Sequence, residues 1–431
     1  MEKYQTGDKI LVKSKDDEEY EGRVIESYDS EVILLKQKSG YNIGIDKNKI
    51  KSVQLIEKFK EKKEKIHEVT QEKKNPKIMI LHTGGTVASK IDYETGGVKA
   101  QVTPSELLAL FPELKEMANI DSKLVFQMFS EDMRPGHWIE MAKEIEKEIK
   151  KGVDGIIITH GTDTMHYTSA ALSFMLKNLP IPIIIVGAQR SSDRGSSDAF
   201  LNIYCAVKFI AQTDFAGVAI CMHSSSNDNG CHILQGTKVR KLHTSRRDAF
   251  KPINCKPIAK VSKNNIEFLR QDYKKKDKNR KLELDAVFNN RIAIIKSRPG
   301  ITSKEFELYK DYDGLIIEGT GLGHLPINKL DKETEENEKI LKTLEKFIKK
   351  GMIIIIASQC IFGSTNDNVY STGRKLKEIG TIEAKDLTSE TSFAKLGWLL
   401  GHNWKKELIK EKFSQNLVGE YNERISEEEF C

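Results

Sequence analysis

A chain of 431 residues is too long for one small domain and predicts two or three. Its 39% hydrophobic content supports buried cores and excludes a disordered chain, while a net charge of +6 permits a nucleic-acid partner without requiring one. Six cysteines (Cys205, Cys221, Cys231, Cys255, Cys360 and Cys431) show no CxxC pair and no ligand spacing with histidine, which predicts reduced thiols and no metal site.

The opening "MEKYQTGDKI" is charged and does not read as a signal peptide, and no window holds the roughly 18 apolar residues of a membrane span. A cytoplasmic protein without membrane contact is expected. Residues 1–60 carry short alternating runs, "DKILVKS", "EYEGRVIESY" and "EVILLKQ", divided by turn-forming residues. Close strands without helices predict a small β-barrel. Residues 61–76, rich in Lys and Glu, cannot bury a core and read as a charged linker.

Residues 77–270 alternate apolar runs ("KIMILH", "GIIITH", "IPIIIVGA", "GVAICMH") with amphipathic stretches. "TPSELLALF" carries a helix-start pattern, with Thr103 as cap and Pro104 at the first turn. "HWIEMAKEIEKEIKKG" places Ile139, Ala142, Ile145 and Ile149 on one helical face and ends in a glycine stop. Continuous apolar strands between amphipathic helices predict a parallel sheet covered on both faces. A charged connector follows at 271–288. Residues 289–431 repeat the alternation ("RIAIIKSR", "GLIIEGTG", "GMIIIIASQ", "SFAKLGWLLG") as a second, smaller α/β domain. A ligand site is expected between the two, at the carboxyl ends of the strands.

Two strand ends share one chemistry. "ILHTGGTVAS" supplies Thr83 and Thr86, and "IITHGTDTMHY" supplies Thr162, Asp163 and Thr164. The glycines of the first turn lack the spacing of a dinucleotide site and the Lys-Ser/Thr ending of a P-loop. A hydroxyl nucleophile needs a base within reach and donors for an oxyanion. With no Ser-His-Asp order and no G-x-S-x-G, a threonine beside a carboxylate and a lysine remains. Lys241 is a candidate if burial weakens its hold on a proton, yet any single lysine of so basic a stretch, Lys241 and Lys238 alike, reads by itself as part of a solvated face. Removal of Lys238 is expected to be mild.

"TGGTVAS" followed by "HGTDTMHYTSAAL" resembles the two signature segments of the asparaginase/glutaminase amidohydrolases. The similarity continues through "VGAQRSSDRGSSDAFLN" and "GTKVRKLHTSRRDAF" and spans about Lys77 to His402. It implies an asparaginase-like pair of α/β domains, the larger holding the active site. By the resemblance, Thr86 matches the acyl-accepting nucleophile and Tyr93 the tyrosine of a flap over the site. Thr162, Asp163 and Lys241 match the second threonine, its aspartate and the lysine of their triad. Ser130 and Glu131 match the segment that holds the substrate's α-amino and α-carboxylate groups, with Glu131 departing from members that carry an amide there. No small-domain residue maps onto the site, and which threonine attacks first stays open.

Free-standing asparaginases of this family begin near the catalytic strand, whereas here the barrel and linker precede it. The whole chain is similar to those members that serve as glutaminase subunits of a tRNA-dependent amidotransferase. That implies glutamine as amide donor and no cofactor in this chain. It also implies a separate E subunit that uses ATP and Mg²⁺ on Glu-tRNA(Gln), and a homodimer within a heterotetramer. A free L-asparaginase, sharing every matched residue, is the alternative. A non-catalytic tRNA-binding scaffold would have no need of the Thr86, Thr162, Asp163 and Lys241 set.

Overall fold

The computed structural model describes residues 4–25, 27, 29–39, 41–59, 74–85, 90–91, 98–99, 112–190, 196–427 and 430. The linker at 61–73, the helix expected at Thr103 and two of the expected site residues, Thr86 and Tyr93, lie outside them.

Alternation dictates the first unit. Strands β1 (Lys9–Ser14), β2 (Glu19–Ile25), β3 (Val32–Lys36), β4 (Asn42–Asp46) and β5 (Ile50–Glu57) pair antiparallel in the order β4-β3-β2-β1-β5. Every second residue turns inward, as a strand's two-residue period requires, so Ile10, Val12, Val24, Ile33, Leu35 and Ile45 form one core. The expected barrel is corrected here. Among the described residues no ladder joins β4 to β5, so the unit is an open five-stranded sheet.

The second unit is built on β6 (Lys77–Gly84), a two-strand ribbon β7 (Lys90–Ile91) and β8 (Val98–Lys99), β9 (Asn119–Met128), β10 (Gly155–Thr159) and β12 (Pro182–Val186). β13 (Gly217–His223), β14 (Cys231–Gln235), β17 (Ala259–Val261) and β18 (Ile266–Phe268) continue the main sheet. Its order is β18-β17-β14-β13-β12-β10-β6-β9. The strands from β9 to β13 are parallel, as expected, and β14, β17 and β18 extend the sheet antiparallel, which makes it mixed.

Burial on both faces explains the unbroken apolar runs. Ile157 of β10 belongs to the core formed with the short helix α1 (Leu114–Met117) and with α4 (Ala199–Gln212). Ile156 and Ile158 face the opposite layer, made by α2 (Pro135–Lys150) and α3 (Met165–Met175). Ala142 and Ile145 are buried on α2, with Ile139 and Ile149 packed against the same core.

Short pairings shape the rest. β11 (Leu176–Lys177) pairs with β19 (Glu283–Leu284), and β15 (Val239–Lys241) with β16 (Phe250–Pro252). The segment expected as a charged connector is thus strapped to the larger domain, with Lys274 O accepting from Ala216 N at 2.7 Å. The smaller domain is a parallel sheet, β20 (Ile292–Lys296), β21 (Gly314–Gly319), β22 (Ile353–Ser358) and β23 (Ile382–Glu383). Helices α5 (Ser303–Glu307), α6 (Glu335–Lys349) and α7 (Ser371–Ile379) accompany it, α6 and α7 packing on the outer face; α8 (Ser389–Gly401) packs on the inner face, with α9 (Lys406–Ser414) beside it. Ile316, Ile355 and Leu396 belong to the same apolar cluster as Met141 and Ile158, so one core runs through both domains.

Lys238 departs from its expectation. It is not on a solvated face: its ammonium meets Asp386 of the smaller domain at 2.5 Å, and both side chains are 2% exposed. Removing one partner strands a buried charge. Lys238→Ala should therefore destabilise the protein by about 3–5 kcal/mol, read in denaturant unfolding; a loss under ~0.5 kcal/mol would restore the solvated-face reading.

Candidate active site

β6 and β10 are parallel neighbours, with Thr159 opposite His82, so both chains leave the sheet at the same edge. Thr83 is buried and donates its hydroxyl to Thr159 O at 2.8 Å, and His82 Nδ1 lies 3.0 Å from Thr159 Oγ1. These bonds tie the two exits together.

The turn that follows needs glycine. Gly85 has φ +78°, and a Cβ there would come within 2.5 Å of Gly161 N. Gly161 is equally confined, since its own Cβ would sit 2.8 Å from Ser130 Cβ. Two turns and the single helical turn Ser130–Asp132 are therefore stacked at backbone contact.

Ser130 is buried and organises the second turn. Its hydroxyl accepts from Asp163 N at 3.2 Å and its carbonyl accepts from Thr164 Oγ1 at 2.6 Å. Glu131, next in the chain, is exposed. Thr162 and Asp163 stand immediately before α3, where helix amides and dipole favour negative charge.

Lys241 ends β15 and reaches into this turn from 79 positions away. Its ammonium donates to Thr162 Oγ1 at 2.8 Å and to Asp163 Oδ1 at 2.7 Å. The lysine and threonine are largely buried while the Asp163 side chain is 64% exposed, so the group has one dry end and one open to solvent. A hydroxyl, an amine and a carboxylate in hydrogen-bond contact can pass a proton between a reacting threonine oxygen and a leaving group. Of the expected site residues, Thr162, Asp163, Lys241 and Ser130 come together, Glu131 adjoins them, and Thr86 and Tyr93 fall outside the described residues.

The nearby histidines bind protons weakly. Burial lowers the affinity of His160 for a proton to a pKa of about 4, and its ring nitrogens already face Gly161 O at 2.6 Å and Thr168 Oγ1 at 2.9 Å. His166, on α3, is likewise lowered to about 4, first by burial and then by the charges of Arg240 and Lys241. Both rings are neutral at pH 7.

Sequence reading missed a second layer behind Lys241. Arg240 Nη2 lies 3.0 Å from Glu390 Oε1, and His166 Nε2 lies 3.9 Å from the same oxygen. Glu390 belongs to α8 of the smaller domain and its side chain is 6% exposed. The single carboxylate of the helix Ser389–Gly401, in its first turn, was the signal available. Two clefts of about 520 Å³ each open elsewhere and are not lined by Thr162, Asp163 or Lys241. Among the described residues no group of histidine, cysteine and carboxylate is arranged to hold a metal, and no helix is long and apolar enough to cross a membrane.

Two α/β domains with this threonine–aspartate–lysine group at the sheet edge define an asparaginase-type scaffold. Residues 77–274 match the family described as "Asparaginase, N-terminal", 291–413 match "Glutaminase/Asparaginase C-terminal domain", and 4–56 match "GatD N-terminal domain". The D subunit of glutamyl-tRNA(Gln) amidotransferase from Pyrococcus abyssi is 45% identical over 420 residues, covering 95% of this chain and 93% of that protein. The D subunit from Pyrococcus furiosus is also 45% identical, over 428 residues, covering 96% and 94%. Among solved structures, the thermostable L-asparaginase from Thermococcus kodakarensis superimposes with a TM-score of 0.72 at 28% identity, over 81% of this chain and all of that one. The chain belongs to the family of glutamyl-tRNA(Gln) amidotransferase D subunits.

The stacking of the two turns is open to test. Gly85→Ala should cost most of the amide-hydrolysing activity and lower Tm, because neither backbone can retreat from the new Cβ. Gly136→Ala, on α2 with nothing within 4 Å, should leave both intact. Equal behaviour of the two variants would contradict the stacked-turn geometry.

Proposed function

We propose that this chain is the glutaminase subunit of a tRNA-dependent amidotransferase, hydrolysing glutamine and supplying ammonia to a partner. The observation that carries the chemistry is Lys241 held at 2.8 Å from Thr162 Oγ1 and 2.7 Å from Asp163 Oδ1, one strand away from "TGGT". The assignment to an amidotransferase rests on relatives of that name covering nearly the whole chain. A free-standing L-asparaginase is supported less well, because residues 4–56 match a module described for the D subunits.

In the proposed reaction Thr86 Oγ attacks the side-chain amide carbon of glutamine and the C–N bond breaks. The hydroxyl proton passes by way of Thr162, Lys241 and Asp163 to the leaving nitrogen, which departs as ammonia. Water then attacks the γ-glutamyl ester, releasing glutamate and restoring Thr86. Splitting the hydrolysis into acylation and deacylation replaces one high barrier by two lower ones. Tyr93 assists Thr86, and Ser130 and Glu131 hold the α-ammonium and α-carboxylate. Glu131 suits the ammonium.

The partner is an E subunit that consumes ATP and Mg²⁺ to activate the γ-carboxyl of Glu-tRNA(Gln) and accepts the ammonia. This chain needs no cofactor of its own and works in the cytoplasm as a homodimer within a heterotetramer.

Thr86→Val should lower glutamine hydrolysis by several orders of magnitude while thermal unfolding is unchanged, and Lys241→Ala should be similarly damaging. Mass spectrometry of trapped enzyme should place the γ-glutamyl adduct on Thr86; an adduct on Thr162 exchanges the roles of the two threonines. Glutamine and asparagine turnover decides between the two functions when measured for the chain alone, with the E subunit, and with the E subunit plus Glu-tRNA(Gln). Rapid asparagine turnover that is indifferent to partners identifies a free asparaginase.

A further inference from the structure

The strand carrying Lys241 is moored on its other face, and the mooring comes from the smaller domain. Successive side chains of an extended strand point to opposite sides, so residues two apart share a side. Arg240 therefore points away from Lys241, and Lys238, on the bend just before β15, reaches the smaller domain as well. Lys238 meets Asp386 at 2.5 Å and Arg240 meets Glu390 at 3.0 Å. Lys241, on the opposite side, meets Thr162 and Asp163. The helix that carries Glu390 is itself tied down. Thr388 caps α8 by accepting from Thr391 N, and Thr391 Oγ1 donates to Thr237 O at 2.8 Å, back in the strand's own approach.

Glu390 also faces the helix that follows the Thr162–Asp163 turn. His166 stands four positions after Thr162, on the first turn of α3, with Nε2 3.9 Å from Glu390 Oε1. The ring is neutral, so Arg240 is the cation that this carboxylate holds. Glu390 Oε2 and His166 Nδ1 are buried and make no hydrogen bond among the described residues. A buried carboxylate with one oxygen unsatisfied is costly to keep for packing alone.

We infer that Glu390 is a positioning residue: through Arg240 it fixes the turn of β15 that presents Lys241 to Thr162, so the placement of the catalytic lysine depends on the seating of the smaller domain. This rests on the role proposed above for Lys241. It differs from the Lys238–Asp386 pair, which is buried, stands on the bend before the strand, three residues from Lys241, and acts through its loss on stability.

The test replaces Glu390 by glutamine, which keeps shape and loses charge, in the full chain. Two readouts are taken. Brief acylation of lysines followed by mass spectrometry should label Lys241 several-fold faster in Glu390→Gln than in the parent, with Lys238 labelled equally slowly in both. Glutamine hydrolysis should lose about tenfold or more in kcat with KM changed less than about twofold, and the loss should vanish in a Lys241→Ala background, because residues acting as one unit are not additive. Unchanged labelling of Lys241 overturns the inference whatever the activity. A lowered Tm with kcat per folded molecule retained overturns it too, leaving Glu390 as a structural ion-pair partner. If the parent chain hydrolyses no glutamine in any mixture, the functional reading fails by itself, while the labelling ratio still decides the positioning role.

Discussion

Two backbones touch where β6 and β10 leave the sheet, and no side chain fits between them. Gly85 lies against Gly161, and Gly161 against Ser130, at distances that any Cβ would violate. Parallel pairing makes this possible, because neighbouring parallel strands end at the same edge and send their turns the same way. Everything chemically useful in the described site hangs on the second of these turns. Ser130 holds its amide and hydroxyl groups, Thr162 and Asp163 are presented before α3, and Lys241 closes over them. The glycines bind no phosphate in this reading. They bring the turn after β6 against the turn that carries Thr162 and Asp163.

The second constraint is electrostatic. Buried charges need partners, and here the smaller domain supplies two buried carboxylates to the buried Lys238 and the half-buried Arg240 of the larger. An apolar cluster passing without interruption from Met141 to Leu396 holds the domains together, so the ion pairs are presented in a fixed frame. Such pairs add little net stability beyond their desolvation cost, but each fixes where its two side chains can sit. That is the property a lysine needs if it is to meet a threonine hydroxyl at hydrogen-bond distance.

The sequence by itself determined most of the regular elements and the residue types gathered in the candidate site. Runs such as "GIIITH" have no polar residue to place on water, so they had to be buried on both faces, and the 3.6-residue rhythm of Pro135–Lys150 fixed its inward face. Glycines at 84 and 85 marked a turn that no other residue makes, and the motif around Thr162 and Asp163 named the carboxylate and the hydroxyl. Tertiary structure alone decided the rest. Periodicity reports how much of a strand is buried but not where its neighbours come from, so the antiparallel edge β14-β17-β18 and the open N-terminal sheet could not be read in advance. In the same way, composition does not separate Lys238 from Lys241 in a basic stretch; the family motif singles out Lys241, and nothing in the sequence points to the buried partner of Lys238. One finds Asp386 148 positions downstream and the other Thr162 79 positions upstream. A charge takes its role from the partner that meets it, and for these residues the partner comes from another part of the chain.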